Sequence, residues 1–294
     1  MASPSGPRSG KHAAALGITN LRNWTLNRIN ALETRYHSAT RGGPARQDGV
    51  NDWNGTVESF GGFPDFFPGD YITGLSLFEG PDDSVYGHTG VTWTGNAIVD
   101  YITINWNFQP NQSLNWSAGF SAHGAIVDGT GVVDDVSDDC PDRICDLHID
   151  HLDPCIPEVA YTEWLNVESA ILTIRAANVP YVNSTTACET FRRSGNIDFT
   201  FDITDQEDYT IVDLLADLSL RAYITASAYW ELNYAKLQNF SNIRADRETG
   251  AIKNKTNNFV MNGFLCCTPG SGASTIGSII DPDGVTQWPI AIAE

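Results

Sequence analysis

The sequence contains few basic residues. Of its 294 residues, 17 are Lys or Arg and 36 are Asp or Glu, which gives a formal net charge of −19 at pH 7. A surface with this excess of acids repels the phosphates of DNA and the head groups of anionic lipids. The composition therefore argues against a protein that binds nucleic acid tightly and against one that docks on an anionic membrane.

Long apolar runs are also missing. No run approaches the roughly eighteen apolar residues that mark a membrane-spanning helix. Near the N-terminus, the short stub Ala13-Ala14-Ala15-Leu16 follows Arg8 and Lys11, and it is shorter than the apolar region of a signal peptide. We therefore expect a soluble protein that is made in the cytoplasm and has no membrane partner.

Short motifs with a known catalytic mechanism are absent. The chain has no phosphate-binding loop, dinucleotide fingerprint or zinc-protease signature. The segment Gly119-Phe120-Ser121-Ala122-His123 lacks the final Gly of a nucleophile elbow and lies inside a predicted strand. Asp and Glu are abundant, but abundance without a pocket does not identify a glycosidase. We expect a protein that is not an enzyme and that requires no nucleotide or cofactor.

A motif of the form Arg-x-x-Gly-x-x-Asp-aromatic occurs twice. The first copy consists of Arg46, Gly49, Asp52 and Trp53, and the second of Arg192, Gly195, Asp198 and Phe199. Each copy leads into a run that alternates with period two, which predicts a turn followed by a strand. Because 294 residues are enough for two separate cores, the repeat predicts two tandem domains of the same fold.

The two alternating runs each have one polar and one apolar side. The polar residues are Asp52, Asn54, Thr56 and Glu58 in the first run and Asp198, Thr200, Asp202 and Thr204 in the second. Their neighbours, such as Trp53, Phe199 and Phe201, are predicted to face the core, because successive side chains of a strand project to opposite sides. Neither polar side contains Lys or Arg.

Other segments complete the predicted organisation. A hairpin with one apolar face is predicted around 98–108 and 114–122, a strand at 171–179, and a helix from Ile211, Leu214, Leu215 and Leu218. We predict five regions: a flexible N-terminal arm at 1–18, a first β domain at 19–127, an acidic linker at 128–160, a second β domain at 161–267 and a C-terminal extension at 268–294.

The acidic linker concentrates residues that bind metals or form disulfides. Residues 128–158 contain ten acids, one base and three cysteines. Five of its residues are potential zinc ligands, namely Cys140, Cys145, His148, His151 and Cys155, although their spacing is not that of a standard zinc site. A disulfide is the preferred alternative to a metal, with Cys140, Cys145, Cys155, Cys188, Cys266 and Cys267 as the candidates. A solvated loop with free thiols is the third reading.

The chain resembles the tail tube proteins of tailed bacteriophages, in a form with the tube domain duplicated. The residues that carry the resemblance are 194–203, the predicted helix near 210–218, the strand at 230–237, the segment 246–252 and the ending Asn262-Gly263-Phe264. The resemblance covers most of 160–265 and, more weakly, 18–127. The Cys/His linker and Gly69 and Gly74 within 68–77 depart from the family pattern.

The resemblance implies a mainly β fold, with two tandem β-sandwich or barrel domains that each carry a flanking helix. It implies rings of six domains, hence trimeric rings for this chain, which stack into a hollow tube in the virion tail. Assembly would occur in the host cytoplasm. The implied partners are other copies of the chain, the tape measure, tail terminator and baseplate or tail-tip proteins, and a sheath if the tail contracts.

A duct for DNA must not bind DNA, since each phosphate neutralised by Lys or Arg adds affinity. The two polar strand sides suit such a wall, so we expect their eight residues to face the lumen. A capsid decoration protein or a head-to-tail adaptor would share this composition. A carbohydrate-binding β-sandwich, using some of the eight Trp as sugar platforms, is a further alternative.

Overall fold

The computed structural model describes the following residues: 14–15, 18, 21–36, 44–60, 63–79, 90–108, 114–131, 147–152, 162–163, 167–182, 189–206, 217–224, 228–246, 251–261, 266–267, 274–275, 278–283 and 286–288. All regular secondary structure in these ranges is β-strand, so the prediction of a mainly β protein is confirmed. Within the same ranges, no helix has the length and apolarity that crossing a bilayer requires.

The strands are numbered along the chain. The first nine are β1 (Ala14–Ala15), β2 (Leu21–Arg35), β3 (Ala45–Phe60), β4 (Tyr71–Glu79), β5 (Gly90–Asn107), β6 (Asn115–Gly131), β7 (Leu147–Leu152), β8 (Thr162–Glu163) and β9 (Val167–Ala176). The others are β10 (Val179–Tyr181), β11 (Phe191–Arg193), β12 (Ile197–Asp205), β13 (Asp217–Tyr223), β14 (Tyr229–Asp246), β15 (Ala251–Met261), β16 (Cys266–Cys267), β17 (Ser274–Thr275), β18 (Ser278–Ile280) and β19 (Thr286–Trp288).

One strand order occurs twice in the main sheet. In the first half of the chain the order is β2-β3-β6-β5, and β4 pairs with the first half of β5. In the second half the order is β9-β12-β15-β14, and β13 pairs with the first half of β14. All these pairings are antiparallel. We call strands β2–β6 unit 1. Unit 2 consists of strand β9 and strands β12–β15, together with the short β10–β11 hairpin that connects β9 to β12.

The two units belong to one continuous sheet. Residues 101–107 of β5 pair with residues 169–175 of β9, along the part of β5 that extends beyond β4. We call this pairing the junction. It aligns eight strands in the order β2-β3-β6-β5-β9-β12-β15-β14.

The apolar sides of both units merge into one hydrophobic core. Strand β12 shows why, because its residues alternate between buried and accessible positions along the whole strand. Across the units, Trp106 packs edge-on against Phe201, and Phe67 stacks on Trp230. The indole nitrogen of Trp106 also donates a hydrogen bond of 2.9 Å to the carbonyl oxygen of Tyr223. The units therefore share buried surface as well as a sheet edge.

Several local predictions need correction. Residues 211–216 of the predicted helix lie outside the described residues, whereas Leu218 lies in strand β13, where it is fully buried between two neighbouring strands. Segment 68–77, which departs from the family pattern, is occupied for the most part by β4 and not by a flanking helix. In the first motif copy no turn precedes the alternating run, since residues 45–60 form one strand. The second copy has the predicted break, at 194–196.

The three regions outside the predicted domains contain strands. Within the N-terminal arm, Ala14 and Ala15 pair with β4, and Ile18 packs on the core. Within the acidic linker, β7 pairs with β13. In the C-terminal extension, β18 pairs with β14, and its Ile279 is fully buried. Pairing with neighbouring strands gives these segments the backbone hydrogen bonds that composition alone does not reveal.

Gly195 is held where no side chain fits. A Cβ at this position would overlap the carbonyl oxygen of Ala177, which is fixed by the hydrogen bond between its own amide and Asn196. We expect Gly195→Ala to lower the free energy of unfolding by roughly 2 kcal/mol or more, as overpacked sites do. Urea denaturation measures this, with Gly129→Ala as the matched control, because a Cβ at Gly129 meets no atom within 4 Å. Equal stability of the two variants would contradict the conclusion that no side chain fits at Gly195.

Candidate functional site

A polar surface runs across both units on one side of the sheet. Glu58 lies opposite Ser117, Ser117 opposite Thr103, Thr103 opposite Thr173, and Thr173 opposite Thr200. Directly paired residues of neighbouring strands project from the same side. The two predicted polar sets therefore share one side of one sheet, which we call the polar face. Apolar neighbours such as Trp53 and Phe199 are buried on the other side, as predicted.

Hydrogen bonds between side chains connect neighbouring strands on the polar face. They join Thr25 to Thr56 (2.7 Å), Asn27 to Asn54 (3.0 Å), Asn105 to Asn115 (2.9 Å), Thr103 to Thr173 (3.3 Å), Asn258 to Asp202 (2.6 Å) and Thr204 to Thr256 (3.1 Å). Such pairs use part of the hydrogen-bonding capacity of the amides and hydroxyls within the protein. The face therefore combines a hydrophilic surface with side chains in defined positions.

The polar face carries charges of both signs, because Lys236 of β14 lies opposite Val260 in the same row as Thr200, on the side that also holds Glu58, Asp198 and Asp202. Glu58 accepts a hydrogen bond of 2.7 Å from Asn23, and Arg22 approaches the same carboxylate to 3.9 Å. Arg175 of β9 also lies on this face, directly opposite Asp198 in the strand pairing and beside a depression lined by Tyr101, Thr103 and Ser117. Arg175 is not among the residues predicted from the sequence to lie on this face, although its spacing from Thr173 places it in the polar phase of that strand.

Two copies of the repeated motif meet in an ion pair. The guanidinium of Arg192 donates two hydrogen bonds to the carboxylate of Asp52, of 2.9 and 2.7 Å. The same guanidinium donates to the carbonyl oxygen of Ala122, at 3.1 Å. Only 15% of the Arg192 side chain and 27% of the Asp52 side chain are exposed. A planar guanidinium suits this bidentate geometry, so the pair fixes the orientation of unit 2 against unit 1.

The backbone around Arg192 is bound to unit 1 as well. Thr190 donates from its amide to the carbonyl oxygen of Asn51, at 3.1 Å, and its own carbonyl oxygen accepts from Gly124, at 2.9 Å. The Tyr71 hydroxyl donates to the carbonyl oxygen of Arg192, at 3.2 Å. We call segment 189–193, with these contacts and the ion pair to Asp52, the Arg192 clamp. It reaches from unit 2 back over strands β3 and β6.

The other two charged residues of the motif are placed differently. The Asp198 carboxylate accepts from the amide of Phe199 at 2.8 Å, as Asp52 does from Trp53 at 2.9 Å. However, Asp198 and Arg46 are both exposed. In the part of the chain that the structure describes, neither forms an ion pair. Asp52 is therefore bound by a base, whereas its counterpart Asp198 faces solvent.

The cysteine and histidine predictions lie outside the side chains that the structure describes. Cys140, Cys145, Cys155 and Cys188 fall in undescribed segments, and of His148, His151, Cys266 and Cys267 only the backbone is described. Among the described residues, no group of three His, Cys, Asp or Glu side chains converges on a point where a metal ion would fit. The choice between metal, disulfide and free thiols therefore stays a prediction.

Comparison with known proteins identifies no family for the chain. No protein-family model matches the sequence, and no curated protein matches it significantly. The polar face and the Arg192 clamp are therefore the features of the structure that bear on function.

The Arg192 clamp yields a test with an internal control. We expect Arg192→Ala to lower the free energy of unfolding by about 2 to 3 kcal/mol, because it removes three hydrogen bonds and leaves Asp52 half-buried without its base. Arg46→Ala removes the equivalent residue of the first copy, which is exposed, and should change the stability of the isolated chain by less than about 0.5 kcal/mol. Chemical denaturation of both variants at low protein concentration gives the comparison. Equal losses would show that the ion pair does not hold the units together.

Proposed function

We propose that the chain is the structural subunit of a bacteriophage tail tube, and that its polar face lines the channel through which DNA passes. The observation that carries the proposal is the polar face itself, a surface rich in hydroxyls and amides that crosses eight aligned strands. The proposed role is structural, in the virion, and uses no enzymatic activity, nucleotide or cofactor.

The low density of bases on the polar face supports this role. Phosphates bind where Lys and Arg displace counterions, so a channel with many bases would hold the DNA. Glu58 and Asp202 give this face carboxylates, Arg175 and Lys236 give it bases, and Arg192 is bound to Asp52. At physiological salt, carboxylates repel phosphates over a Debye length of about 8 Å. DNA would therefore slide past the wall without a specific contact.

The repeated strand order supports a duplicated tube domain, which is the organisation that the resemblance to tail tube proteins implies. In the main sheet, units 1 and 2 contain five strands each in the same order and direction. Two such units per chain would supply six units from three chains. This matches the trimeric rings that the resemblance to tail tube proteins implies, and places other copies of this chain first among the expected partners.

A single side chain on the polar face tests the channel. Asp202→Lys should permit tube assembly but slow DNA ejection severalfold, and more strongly at low salt, because each subunit then presents a further base to the phosphates. Asp202→Asn should leave the rate close to that of the unchanged protein. Asp65→Lys is the matched control, since Asp65 is exposed and its neighbour Phe66 packs on the opposite side of the sheet. Ejection at an unchanged rate in Asp202→Lys particles would contradict the channel assignment.

Electron microscopy of the purified protein separates the tail tube from its alternatives. We expect hollow tubes, or rings that stack into tubes when tail-tip proteins are supplied. Isolated rings that never stack would indicate a head-to-tail adaptor, and monomers at high concentration would favour a capsid decoration protein or a sugar-binding sandwich. Both of these results would contradict the proposal.

A further inference from the structure

Two strands at opposite ends of the aligned sheet have an unpaired edge. Strand β2 pairs with β3 on one side, and on its other side no described strand pairs with it. Strand β14 pairs with β13 only as far as Lys236, so the same edge of residues 237–246 has no partner among the described strands. Unpaired edges present backbone amides and carbonyls that favour pairing with another chain. Both edges are long enough for six or more residues.

The junction shows what fits these edges. Within the chain, the second half of β5 pairs with β9, the first strand of unit 2. The second half of β14 in unit 2 is the counterpart of this part of β5 in unit 1. Likewise, β2 in unit 1 is the counterpart of β9 in unit 2. Residues 237–246 of one copy are therefore matched to β2 of another copy. This contact is head-to-tail, and such contacts generate rings or filaments.

The strand pairing also fixes the register of the expected contact. In unit 1, Thr56 lies opposite Gly119, and Gly119 lies opposite Tyr101, which faces Arg175 across the junction. In unit 2, the equivalent row runs from Asp202 through Asn258 to Asn239.

The residue that should face Asn239 is the unit 1 counterpart of Arg175. Arg175 lies opposite Asp198, and Ile29 lies opposite Asp52, so Ile29 is that counterpart. Asn239 of one copy should therefore face Ile29 of the next. Ile29 is 48% exposed in the single chain, which is unusual for an isoleucine in a strand.

The Arg192 clamp supplies a second, independent match. Across the junction, Arg192 of unit 2 binds Asp52 of unit 1. At the next boundary, the equivalent residues are Arg46 of the following copy and Asp198 of the preceding one. Both are exposed in the single chain. The repeated motif thus contains one Arg and one Asp that already pair within the chain, and one of each that remain available.

The hairpins that carry the two arginines are built alike. Arg192 lies opposite Pro180 and Arg46 lies opposite Thr34, positions that are equally far from each arginine in the sequence. Gly195 packs against the backbone of Ala177 at the point where β9 has ended. The first copy has Gly49 and Ala31 at the equivalent positions, and β2 has a register shift between Asn30 and Leu32. A bulge bends a strand, so the hairpin of β2 and β3 bends at the position equivalent to the start of the Arg192 clamp.

We propose that a second copy of this chain docks head-to-tail, with its β2 paired to residues 237–246 of β14 and its Arg46 bound to Asp198. The inference rests on the proposed function only in expecting the contact to close into a ring. The contact itself follows from the junction and the clamp. In this assembly, the Asp of each copy of the motif is bound by the Arg of the next unit, which gives both copies of the motif the same role.

Charge exchange tests the ion pair. Arg46→Asp and Asp198→Arg should each weaken association at least tenfold in sedimentation equilibrium, and the two changes in one chain should restore it to within a few-fold of the unchanged protein. An equimolar mixture of the two single variants should also associate, because each supplies the charge that the other lacks. Circular dichroism confirms folding of each variant, and Asp65→Arg controls for charge reversal at another exposed acid. Failure of both the double variant and the mixture to recover association would overturn the ion pair.

Cysteine cross-linking tests the register. The variant with Asn239→Cys and Ile29→Cys should form dimers and larger species with a short thiol-reactive cross-linker, above the background of the six native cysteines. The matched control carries Asn239→Cys and Thr25→Cys. Thr25 lies on the same side of β2 as Ile29 but about 13 Å farther along the strand. Equal cross-linking of the two variants, or none in the first, would overturn the proposed pairing.

The outcomes also separate this contact from the proposed function. If rings or tubes form but the charge exchange and the cross-links fail, the tail tube proposal stands and the proposed contact is wrong. If the oligomers are cross-linked head-to-tail but form open filaments without a channel, the proposed contact stands and the tail tube proposal is wrong.

Discussion

The antiparallel pairing of β5 with β9 is the constraint on which the rest of the structure depends. It places two units of the same strand order in one sheet, so that their polar sides form a single surface and their apolar sides a single core. Backbone hydrogen bonds hold the pairing along seven residues of β5, while Trp106 and the Arg192 clamp secure its two sides. Without this pairing, the two polar strand sets would belong to separate surfaces.

The same pairing aligns the strands so that another copy of the chain could extend the sheet at either end. Eight strands align in each chain, and the ring that the tail tube resemblance implies contains three chains, hence twenty-four strands. At a strand spacing of about 4.8 Å, twenty-four strands enclose a circle of about 37 Å in diameter at the backbone, and strand tilt widens it further. Side chains reduce this width but leave space for a DNA duplex. The polar face then occupies the inner surface if the shared core lies outside.

Much of the strand pattern could be predicted from the sequence, because period-two alternation is a direct consequence of strand geometry. The runs after Asp52 and Asp198 alternate in burial as expected, and the hairpin of β5 and β6 is present. The predicted helix relied on four apolar residues at helical spacing. Leu218, the one of the four that the structure describes, instead lies in a strand and is buried between two neighbouring strands. Pairing over long sequence distances decides such cases, and local propensity does not report it.

Part of the functional site could likewise be predicted from the sequence, and part could not. The polar residues of β3 and β12 follow from alternation within one strand, whereas their joining into one face depends on the register of four intervening pairings. Arg175 was within reach of the same alternation argument. The bond between Arg192 and Asp52 was not, because two copies of a motif give no indication that they contact each other rather than occupy equivalent, separate places.

The most direct test of the account is a cryo-electron microscopy map of the assembled protein at a resolution that shows side chains. The account predicts that Thr56, Thr200 and Asp202 point into a central channel, with Trp53 and Phe199 behind them in the wall. A map in which these polar side chains face the outside of the particle, or in which the particle has no channel, would contradict it.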